Sequence, residues 1–349
     1  MSRLRRAYGR ALDLRHGRIE MMHGSGGRAM AQLIDELFTS RLGNPQSGQG
    51  NDAAVLPAAP GRLVVSTDSH VVSPLFFPGG DIGCLSVNGT INDVAVMGAT
   101  PLYLAAGFIL EEGFPLADLA RIVDSMARAA TAAGVPVVTG DTKVVQRGRG
   151  DGVYITTTGV GVVADGEDWS GDRARPGDRI IVSGGIGEHG MAIMAQRESI
   201  GFAADIVSDT AALHGLIAVM RASGADIHVL RDPTRGGVAT TLNEIARQSG
   251  VGMMLQESAL PLQPQVAAAC EFLGLDPLYV ANEGKLLAIV AGDDADRLLA
   301  AMHQHPLGQR AALIGSVHRD AQCFVQMSTC LGGRRIVDWL SSDQLPRIC

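Results

Sequence analysis

The fold class is decided by one stretch of the sequence, PLADLARIVDSMARAATAAGVPVVTGDTK, at residues 115–143. In its first part, apolar residues recur at helical spacing between Pro115 and Gly134, two residue types that are typical of a helix start and a helix stop. A short β-type run at residues 135–138 follows at once and leads into the polar sequence Thr-Gly-Asp-Thr-Lys. A helix followed directly by a strand with a polar end favours an α/β or α+β fold.

The same alternation extends in both directions from this stretch. Further strands are predicted at residues 63–65, 102–110, 153–163, 179–183, 226–230, 252–256 and 286–290. Further helices are predicted at residues 30–38, 85–97, about 209–222, 238–245 and 266–273. The polar segment at residues 165–178 contains Gly and Pro and is typical of a domain boundary. Because 349 residues exceed what one hydrophobic core usually organises, we expect an N-terminal domain at 22–165, a C-terminal α/β domain at 175–338 and a mobile tail at 339–349.

Composition and charge exclude several classes of protein. Hydrophobic residues make up 46% of the chain and charged residues 19%, which fits a soluble globular protein, and no apolar run is long enough to span a membrane. The net charge of −7, without a sustained basic stripe, argues against nucleic-acid binding. Five cysteines without a CxxC pattern argue against a disulfide framework, so a reducing, cytoplasmic setting is expected. The Arg-rich residues 1–21 lack the apolar core of a secretory signal and are expected to be disordered or to precede the true start.

Five aspartates stand among glycines and other small residues: Asp52, Asp68, Asp93, Asp141 and Asp232. Asp68, Asp141 and Asp232 follow β-type runs directly, and ligand sites in α/β proteins collect at the ends of strands. Carboxylates that share a cleft repel one another, and Mg²⁺, which prefers oxygen ligands and bridges to nucleotide phosphates, relieves that repulsion. A single aspartate more often caps a helix or shapes a turn. The five together favour a magnesium–nucleotide site.

Three further features fit such a site. Gly26 and Gly27 belong to a Gly-rich loop at residues 23–27 that opens a helix, an arrangement that presents backbone N–H groups to phosphate. Lys143 supplies a positive charge that can stabilise a transferred phosphoryl group, and Glu283 is a candidate base. The P-loop pattern is absent from the sequence, as are the signatures of α/β-hydrolases and zinc metalloproteases.

The chain ends with Leu345-Pro346-Arg347-Ile348-Cys349, and a cysteine as the last residue is chemically unusual. Pro346 favours an extended tail and chain ends are commonly mobile, so the thiol is expected to visit more than one site. Fully extended, residues 339–349 span about 35 Å. The terminal cysteine is either incidental or a carrier thiol. A carrier would need an activating partner, since an unassisted thiol is only about 3% thiolate at pH 7.

Several motifs carry a resemblance to a known family: HGSGG at 23–27, NDAA at 51–54, TDSH at 67–70, NDVAVMG at 92–98, GDTK at 140–143, DPTRGG at 232–237, NEGK at 282–285 and the terminal PRIC. Together they resemble the HypE family of hydrogenase maturation proteins, in the superfamily of aminoimidazole ribonucleotide synthetase, selenophosphate synthetase and thiamine monophosphate kinase. The resemblance runs from about residue 22 to the end, and the terminal motif is its most specific part. The Arg-rich extension departs from the family pattern.

The resemblance implies a two-domain PurM-like fold and a homodimer whose N-terminal domains pair their sheets and bind ATP. It implies that a HypF-like carbamoyltransferase loads a carbamoyl group on Cys349, and that ATP then drives dehydration of this thiocarboxamide to a thiocyanate. The HypC–HypD complex would accept the cyano group for the iron of [NiFe] hydrogenase. By the same resemblance, Glu283 takes a proton from the carboxamide nitrogen, and Lys143 stabilises the attacking oxygen and the γ-phosphate.

The resemblance also assigns the remaining carboxylates. Asp52, Asp93 and Asp232 would hold Mg²⁺. The ATP site would comprise Gly26, Gly27, Asp68, Asp93, Asp141, Thr142 and Lys143.

Two other functions remain open from the sequence. One is a sister enzyme of the superfamily, although selenophosphate synthetases usually carry a cysteine or selenocysteine near the N-terminal glycine loop, and the first cysteine here is Cys84. Aminoimidazole ribonucleotide synthetase and thiamine monophosphate kinase have no use for a terminal cysteine. The other is a non-catalytic carrier or scaffold, in which ATP only regulates; ATP hydrolysis that depends on a carbamoylated tail would exclude it.

Overall fold

The computed structural model describes residues 8–47, 53–164, 166–198, 206–340, 345 and 347–349. Within these residues the chain forms two main sheets, one of four strands in its N-terminal half and one of seven strands in its C-terminal half. We call them the N-terminal sheet and the C-terminal sheet. Helices pack on both, so the predicted α/β (α+β) class is confirmed.

The N-terminal half contains β1 (Arg62–His70), β2 (Phe76–Phe77), β3 (Gly80–Asp81), β4 (Thr100–Glu111), β5 (Val137–Val145), β6 (Val153–Val163), α1 (Arg28–Leu33), α2 (Ile82–Val96) and α3 (Leu116–Ala133). The strand order of the N-terminal sheet is β1-β6-β4-β5, in which β4 and β5 run parallel and the other neighbours antiparallel. Leu85 of α2 and Leu119 of α3 are inaccessible to solvent in the core. On the outer face of the sheet, Leu63 and Val65 remain 70% and 64% exposed.

Local signals explain where the helices of this half begin and end. The helix α3 follows Pro115 and ends at Gly134, whose φ of 69° is the left-handed conformation that glycine adopts without strain. The Asp81 carboxylate accepts hydrogen bonds from two backbone N–H groups in the first turn of α2. This cap starts α2 at Ile82, ahead of the predicted position 85.

The C-terminal half contains β7 (Arg179–Val182), β8 (Ile227–Arg231), β9 (Gly252–Gln256), β10 (Leu287–Val290), β11 (Ala312–His318), β12 (Val325–Ser328), β13 (Arg334–Ile336), α4 (Glu188–Arg197), α5 (His214–Ala222), α6 (Gly237–Ser249), α7 (Pro264–Leu273) and α8 (Ala295–His303). The strand order is β13-β12-β9-β11-β7-β10-β8. Successive residues of β7, Ile180 and Ile181, belong to different hydrophobic clusters, so the C-terminal sheet is buried on both faces. None of the helices described here has the length and apolarity to cross a bilayer.

Two parts of this half differ from the sequence prediction. The helix predicted at about 209–222 begins only at His214. The Asp209 carboxylate instead accepts hydrogen bonds from the Glu283 backbone N–H and from Lys285 Nζ, both at 3.0 Å, which holds this segment against a neighbouring loop. The sequence pattern does not predict α8 or β11–β13, because their runs are short and mix polar with apolar residues.

The described part of the N-terminal extension packs against the N-terminal domain. Ile19 is buried, and its N–H donates to the Phe114 carbonyl at 2.8 Å. Leu12 and Leu14 contact the same core. The expectation of disorder is therefore wrong for residues 8–21, because these apolar side chains give the Arg-rich run a face to bury. Residues 1–7 lie outside the described residues.

Candidate active site

Two of the predicted site aspartates lie within strands rather than after them. Asp68 in β1 is opposite Thr157 of β6, and Asp141 in β5 is opposite Gly107 of β4. The prediction that both follow a strand end is wrong. Asp141 is exposed, and a solvent-facing side of a sheet accepts polar residues without ending the strand, whereas Asp68 lies on the side covered by α2, close to Gly89 and His70. Asp232 does follow its strand, β8.

The strand order divides the predicted residues between two places. β1 and β5 are the opposite edges of the N-terminal sheet, and three strand spacings between them amount to about 14 Å. One group, which we call the acidic cleft, lies between the two halves of the chain and comprises Asp68, Asp93, Asp232 and Glu283. The other, which we call the β5 edge, comprises Asp141, Thr142 and Lys143.

The carboxylates of the acidic cleft repel one another. Burial and the negative charge of Asp93 raise the pKa of Asp232 to about 7. Burial and the charge of Asp68 also raise the pKa of Asp93, against the hydrogen bond of 2.7 Å that its carboxylate accepts from Ser66 Oγ. Near neutral pH the cleft therefore carries less negative charge than its composition implies.

Carboxylates under such repulsion suit a hard divalent cation. Asp93 and Asp232 fit this description, since a cation between them would lower both of their pKa values. Within the described residues, however, no three His, Cys, Asp or Glu side chains converge closely enough to hold a metal ion. Asp52, the third predicted ligand, lies outside the described residues.

Glu283 is held from both sides of the cleft. Its backbone N–H donates to Asp209, and its carbonyl accepts from Asn92 Nδ2 of α2 at 3.2 Å. Burial, then the charges of Asp209 and Asp232, raise the pKa of its carboxyl well above the ordinary value. Among the described residues, Glu283 Oε1 has no hydrogen-bond partner. Gly89 of α2 faces this carboxyl: a Cβ there would lie at an ordinary contact distance of 3.8 Å from Glu283 Oε2, and more tightly, at 3.2 Å, against His70 Cε1.

The end of the chain is docked in this cleft. The N–H groups of Val71 and Ser73 donate to the Cys349 and Arg347 carbonyl oxygens at 3.0 and 3.1 Å, so the tail pairs antiparallel with residues 71–73. Burial, then the charge of Glu283, raise the pKa of the Cys349 thiol, and Arg235 acts against them. Thiol and carboxyl are thus neighbours: Glu283 favours the protonated thiol, whereas the hydrogen bond from the thiol acts to lower the pKa of Glu283.

A cavity of 250 Å³ adjoins the docked thiol, and its lining includes Ser69, Arg235 and Tyr279. It leaves space beside the sulfur for a small group.

The β5 edge has the opposite character. Lys143 Nζ lies 2.7 Å from Asp141 Oδ2, and both side chains are 63% exposed. The hydrogen bond from Lys143 lowers the pKa of Asp141. A groove of 440 Å³ runs beside them, lined by Met30, Phe38, Gly140, Asp141, Thr142 and others. Its volume is within the range of small-molecule sites.

The glycine loop lies at this same edge. A Cβ on Gly24 would be 2.7 Å from the Val144 backbone nitrogen of β5, so the loop packs directly on the strand. Gly27 precedes α1, and a Cβ on Gly26 or Gly27 would meet nothing within 4 Å. The loop and the β5 edge, predicted from separate motifs, are therefore neighbours.

The structure adds residues to which the sequence assigns no role. His70 is buried beside Asp68, with Nε2 3.6 Å from Asp68 Oδ2, and Asp209 organises the Glu283 loop. Arg235 lines the same cavity as Cys349 and its charge lowers the pKa of the thiol, a role that could be suspected from the DPTRGG motif alone. The glycine-rich turn at 184–190 predicts a turn or cap role for His189, but this residue lies within α4 and contacts the tail.

Comparisons with known proteins agree with this architecture. Two family models match the chain: the AIR synthase related protein, N-terminal domain, at residues 50–163, and the corresponding C-terminal domain at residues 175–328. The carbamoyl dehydratase HypE of Azotobacter vinelandii is 68% identical over 338 residues, which is 97% of this chain and 99% of that relative.

Solved structures give the same result. A crystal structure of the hydrogenase maturation protein HypE in complex with ATP is 51% identical, covers 94% of this chain and 99% of that chain, and has a TM-score of 0.91. The crystal structure of a HypE–HypF complex is 48% identical, covers 88% of this chain and 99% of that chain, and has a TM-score of 0.78. The chain therefore belongs to the HypE family of AIR synthase related proteins.

Proposed function

We propose that this protein is an ATP-dependent carbamoyl dehydratase of hydrogenase maturation. It converts a carbamoyl group carried on the Cys349 thiol into a cyano group, which supplies the cyanide ligands of the iron in [NiFe] hydrogenase. Its family membership and the name of its relative from Azotobacter vinelandii support this activity. One observation carries the proposal to this chain: the terminal thiol is docked beside the buried carboxyl of Glu283.

The chemistry follows from the group that the sulfur carries. The oxygen of a thiocarboxamide is a poor leaving group, so it first attacks the γ-phosphorus of ATP, and ADP departs. The nitrogen then loses both of its protons, one to Glu283 and one that leaves with the phosphate, as the C–O bond breaks and phosphate carries away the oxygen. The balance is one thiocarboxamide and one ATP giving one thiocyanate, ADP, phosphate and a proton. A raised pKa makes the carboxylate form of Glu283 a stronger base for that proton.

We assign the magnesium of the MgATP substrate to Asp93 and Asp232, with Asp52 as a further ligand. Bound there, Mg²⁺ would neutralise charge on the phosphates during transfer. Asp68 and Asp141 then belong to the nucleotide site, with Gly26, Gly27 and Thr142 near the triphosphate. The raised pKa of Asp232 supports this assignment, because it records a repulsion that a cation removes.

The separation between Lys143 and the thiol supports a homodimer. Lys143 is at the β5 edge, about 14 Å from the β1 edge of the same chain. Face-to-face packing of two outer sheet faces would bury Leu63 and Val65, which are now exposed. If the two-fold axis runs along the strands, the β5 edge of one protomer lies over the β1 edge of its partner. Lys143 would then stabilise the reaction on the partner's tail.

Mixed dimers test this arrangement. We expect a heterodimer of Lys143→Ala and Cys349→Ala protomers, isolated with two affinity tags, to recover about half of the wild-type activity, since one site keeps both groups. Both homodimers should be inactive. If the heterodimer is also inactive, Lys143 acts within its own protomer.

A HypF-like carbamoyltransferase is the proposed source of the carbamoyl group, which the solved HypE–HypF complex supports. The HypC–HypD complex is the proposed acceptor of the cyano group. Loading and delivery both require the tail to leave the cleft, so the docked state is one of at least two. The tail at residues 339–349, predicted to be mobile, would thus alternate between a docked and an undocked state. Residues 341–344 and 346 of this tail lie outside the described residues.

The deciding experiment is intact-mass analysis of the C-terminal peptide. After incubation with a HypF-like enzyme, carbamoyl phosphate and ATP, we expect the mass of one carbamoyl group to appear on Cys349 and then one water to be lost. ATP hydrolysis should depend on the carbamoylated tail. Equal hydrolysis with an unloaded tail, and no loss of water, would instead identify a carrier or scaffold.

A further inference from the structure

A buried histidine holds the docked tail by its backbone. His189, near the start of α4, has Nε2 at 2.7 Å from the Ile348 carbonyl oxygen and Nδ1 at 2.7 Å from Ser208 Oγ. The carbonyl can only accept, so Nε2 carries a proton and donates. Burial lowers the pKa of His189, so the ring is neutral and Nδ1 accepts from the Ser208 hydroxyl. The direction of each hydrogen bond is therefore determined.

A second donor comes from the other end of the same helix. Arg197 Nη2 donates to the Arg347 carbonyl at 3.0 Å and also to the Ser73 carbonyl at 2.5 Å. One helix of the C-terminal half thus holds two successive carbonyls of the tail. The N-terminal half supplies Val71 and Ser73 from the opposite side.

We propose that His189 and Arg197 form a latch that sets how much of the time the tail is docked. This inference rests on the proposed function. Both residues recognise main-chain carbonyls rather than the thiol, so the latch can hold the tail whether the sulfur is free, carbamoylated or cyanated. Releasing the latch should therefore have opposite effects on the two reactions of the tail: loading needs it undocked, and dehydration needs it docked.

The test replaces His189 by a residue that keeps a ring but cannot donate. In His189→Phe the Ile348 carbonyl loses its donor inside the protein, and we expect alkylation of Cys349 by iodoacetamide to accelerate about fivefold to tenfold. Mass spectrometry of the C-terminal peptide gives the rate at Cys349, and the exposed Cys330 serves as an internal reference. Loading by a HypF-like enzyme should be unchanged or faster, while kcat for dehydration falls and KM for ATP stays the same.

A matched control is available in the same half of the chain. His303 Nε2 lies 2.9 Å from the Ala311 carbonyl oxygen, the same kind of contact without the tail. His303→Phe should leave alkylation of Cys349 unchanged. His189→Gln, whose amide can still donate, should restore part of the slow alkylation.

Arg197→Met provides a second variant should His189→Phe fail to fold, because it removes the donors at a partly exposed position. Alkylation of Cys349 at the wild-type rate in the folded variants would overturn the latch. A parallel fall in loading and dehydration would also overturn it, since that pattern indicates general damage. If alkylation of Cys349 is faster in the variants but the wild type shows no dehydration, the latch is supported and the proposed function is refuted.

Discussion

The acidic cleft and the β5 edge use the same side chains in opposite ways. In the cleft, the half-buried Asp232 lies near Asp93, and its pKa is raised to about 7. At the β5 edge, Asp141 is exposed, paired with Lys143, and its pKa is lowered. One site holds carboxylates whose burial and mutual repulsion Arg231 and Arg235 offset only in part, and the other holds a carboxylate paired directly with its counter-charge.

This difference indicates that the acidic cleft and the β5 edge have different roles. Binding of a cation or a substrate relieves the repulsion between the carboxylates of the cleft and so stabilises the folded protein. The cleft therefore has affinity for such ligands because of how the fold places its carboxylates. An exposed ion pair gains little from either, and is suited to orient a ligand whose binding energy comes from other contacts. We therefore expect substitutions in the cleft to have the larger effects.

The largest effect should come from the thiol in the cleft. Cys349→Ala removes the atom that carries the substrate, so cyano-group formation should be abolished. ATP binding, which we assign to the β5 edge, its groove and the carboxylates of the cleft but not to the thiol, should be unchanged in titration calorimetry. Cyanide transfer retained by the variant would refute the carrier role, and lost ATP binding would show that the thiol itself belongs to the nucleotide site.

Glu283→Gln should have the next largest effect. Glutamine keeps the shape of the side chain but cannot accept the proton from the carboxamide nitrogen, so dehydration should slow about 10²–10⁴-fold. The carbamoylated tail should then accumulate, which mass spectrometry of the C-terminal peptide detects. Lys143→Ala serves as the comparison at the β5 edge and should also let the adduct accumulate, with a loss of about 10²–10³-fold. Normal loss of water in Glu283→Gln would remove this residue as the base.

Local signals in the sequence were sufficient for part of this picture. The helix at 116–133 and the strand that follows it are read from apolar spacing, Pro115 and Gly134. The Asp residues among glycines also led to the hypothesis of a magnesium–nucleotide site, and these roles stay a prediction. The groove beside β5 could be suspected from the glycine loop and the GDTK motif, although not their contact through Gly24 and Val144.

Long-range pairing explains what the sequence could not supply. The order β1-β6-β4-β5 places Asp68 and Asp141 at opposite edges, and no local pattern encodes strand order. Docking of the tail depends on Val71 and Ser73, which are remote from Cys349 in sequence and contribute backbone groups only. The sequence around His189 is a glycine-rich turn pattern, and such a pattern does not predict that His189 is buried against the tail.

Asp232→Asn measures the repulsion in the cleft directly. In the folded protein the pKa of Asp232 is about 7, above its ordinary value of 3.8, so between these values only the folded state keeps the proton. The contribution of Asp232 to the unfolding free energy is therefore fully present below about pH 4 and is lost as pH rises to about 7. Without metal or nucleotide, Asp232→Asn should be more stable than wild type at pH 8 by about 1–3 kcal/mol, with little difference at pH 4.5.

Urea unfolding at the two pH values checks this prediction. Mg²⁺ with ATP should narrow the difference at pH 8, because a bound cation offsets the charge of Asp232 in the wild type. A variant that is less stable than wild type at pH 8 would show that the carboxylates of the cleft do not repel one another.

The smallest effect should come from Asp141→Asn at the β5 edge. The pair with Lys143 is exposed, and exposed ion pairs contribute about 0–1 kcal/mol, so the unfolding free energy should fall by less than about 1 kcal/mol. The pKa of Asp141 is lowered, whereas that of Asp232 is raised. The contribution of Asp141 to the unfolding free energy is therefore present above the ordinary carboxyl pKa and is lost as pH falls below it. Added salt should remove the small difference in unfolding free energy between wild type and Asp141→Asn, since the ion pair is open to solvent. A different result would be a loss of unfolding free energy that salt does not reduce and that is as large as the change in Asp232→Asn. The β5 edge would then be buried in solution, as it would be against a partner protomer. The contrast between the acidic cleft and the β5 edge would in that case hold only for the isolated chain.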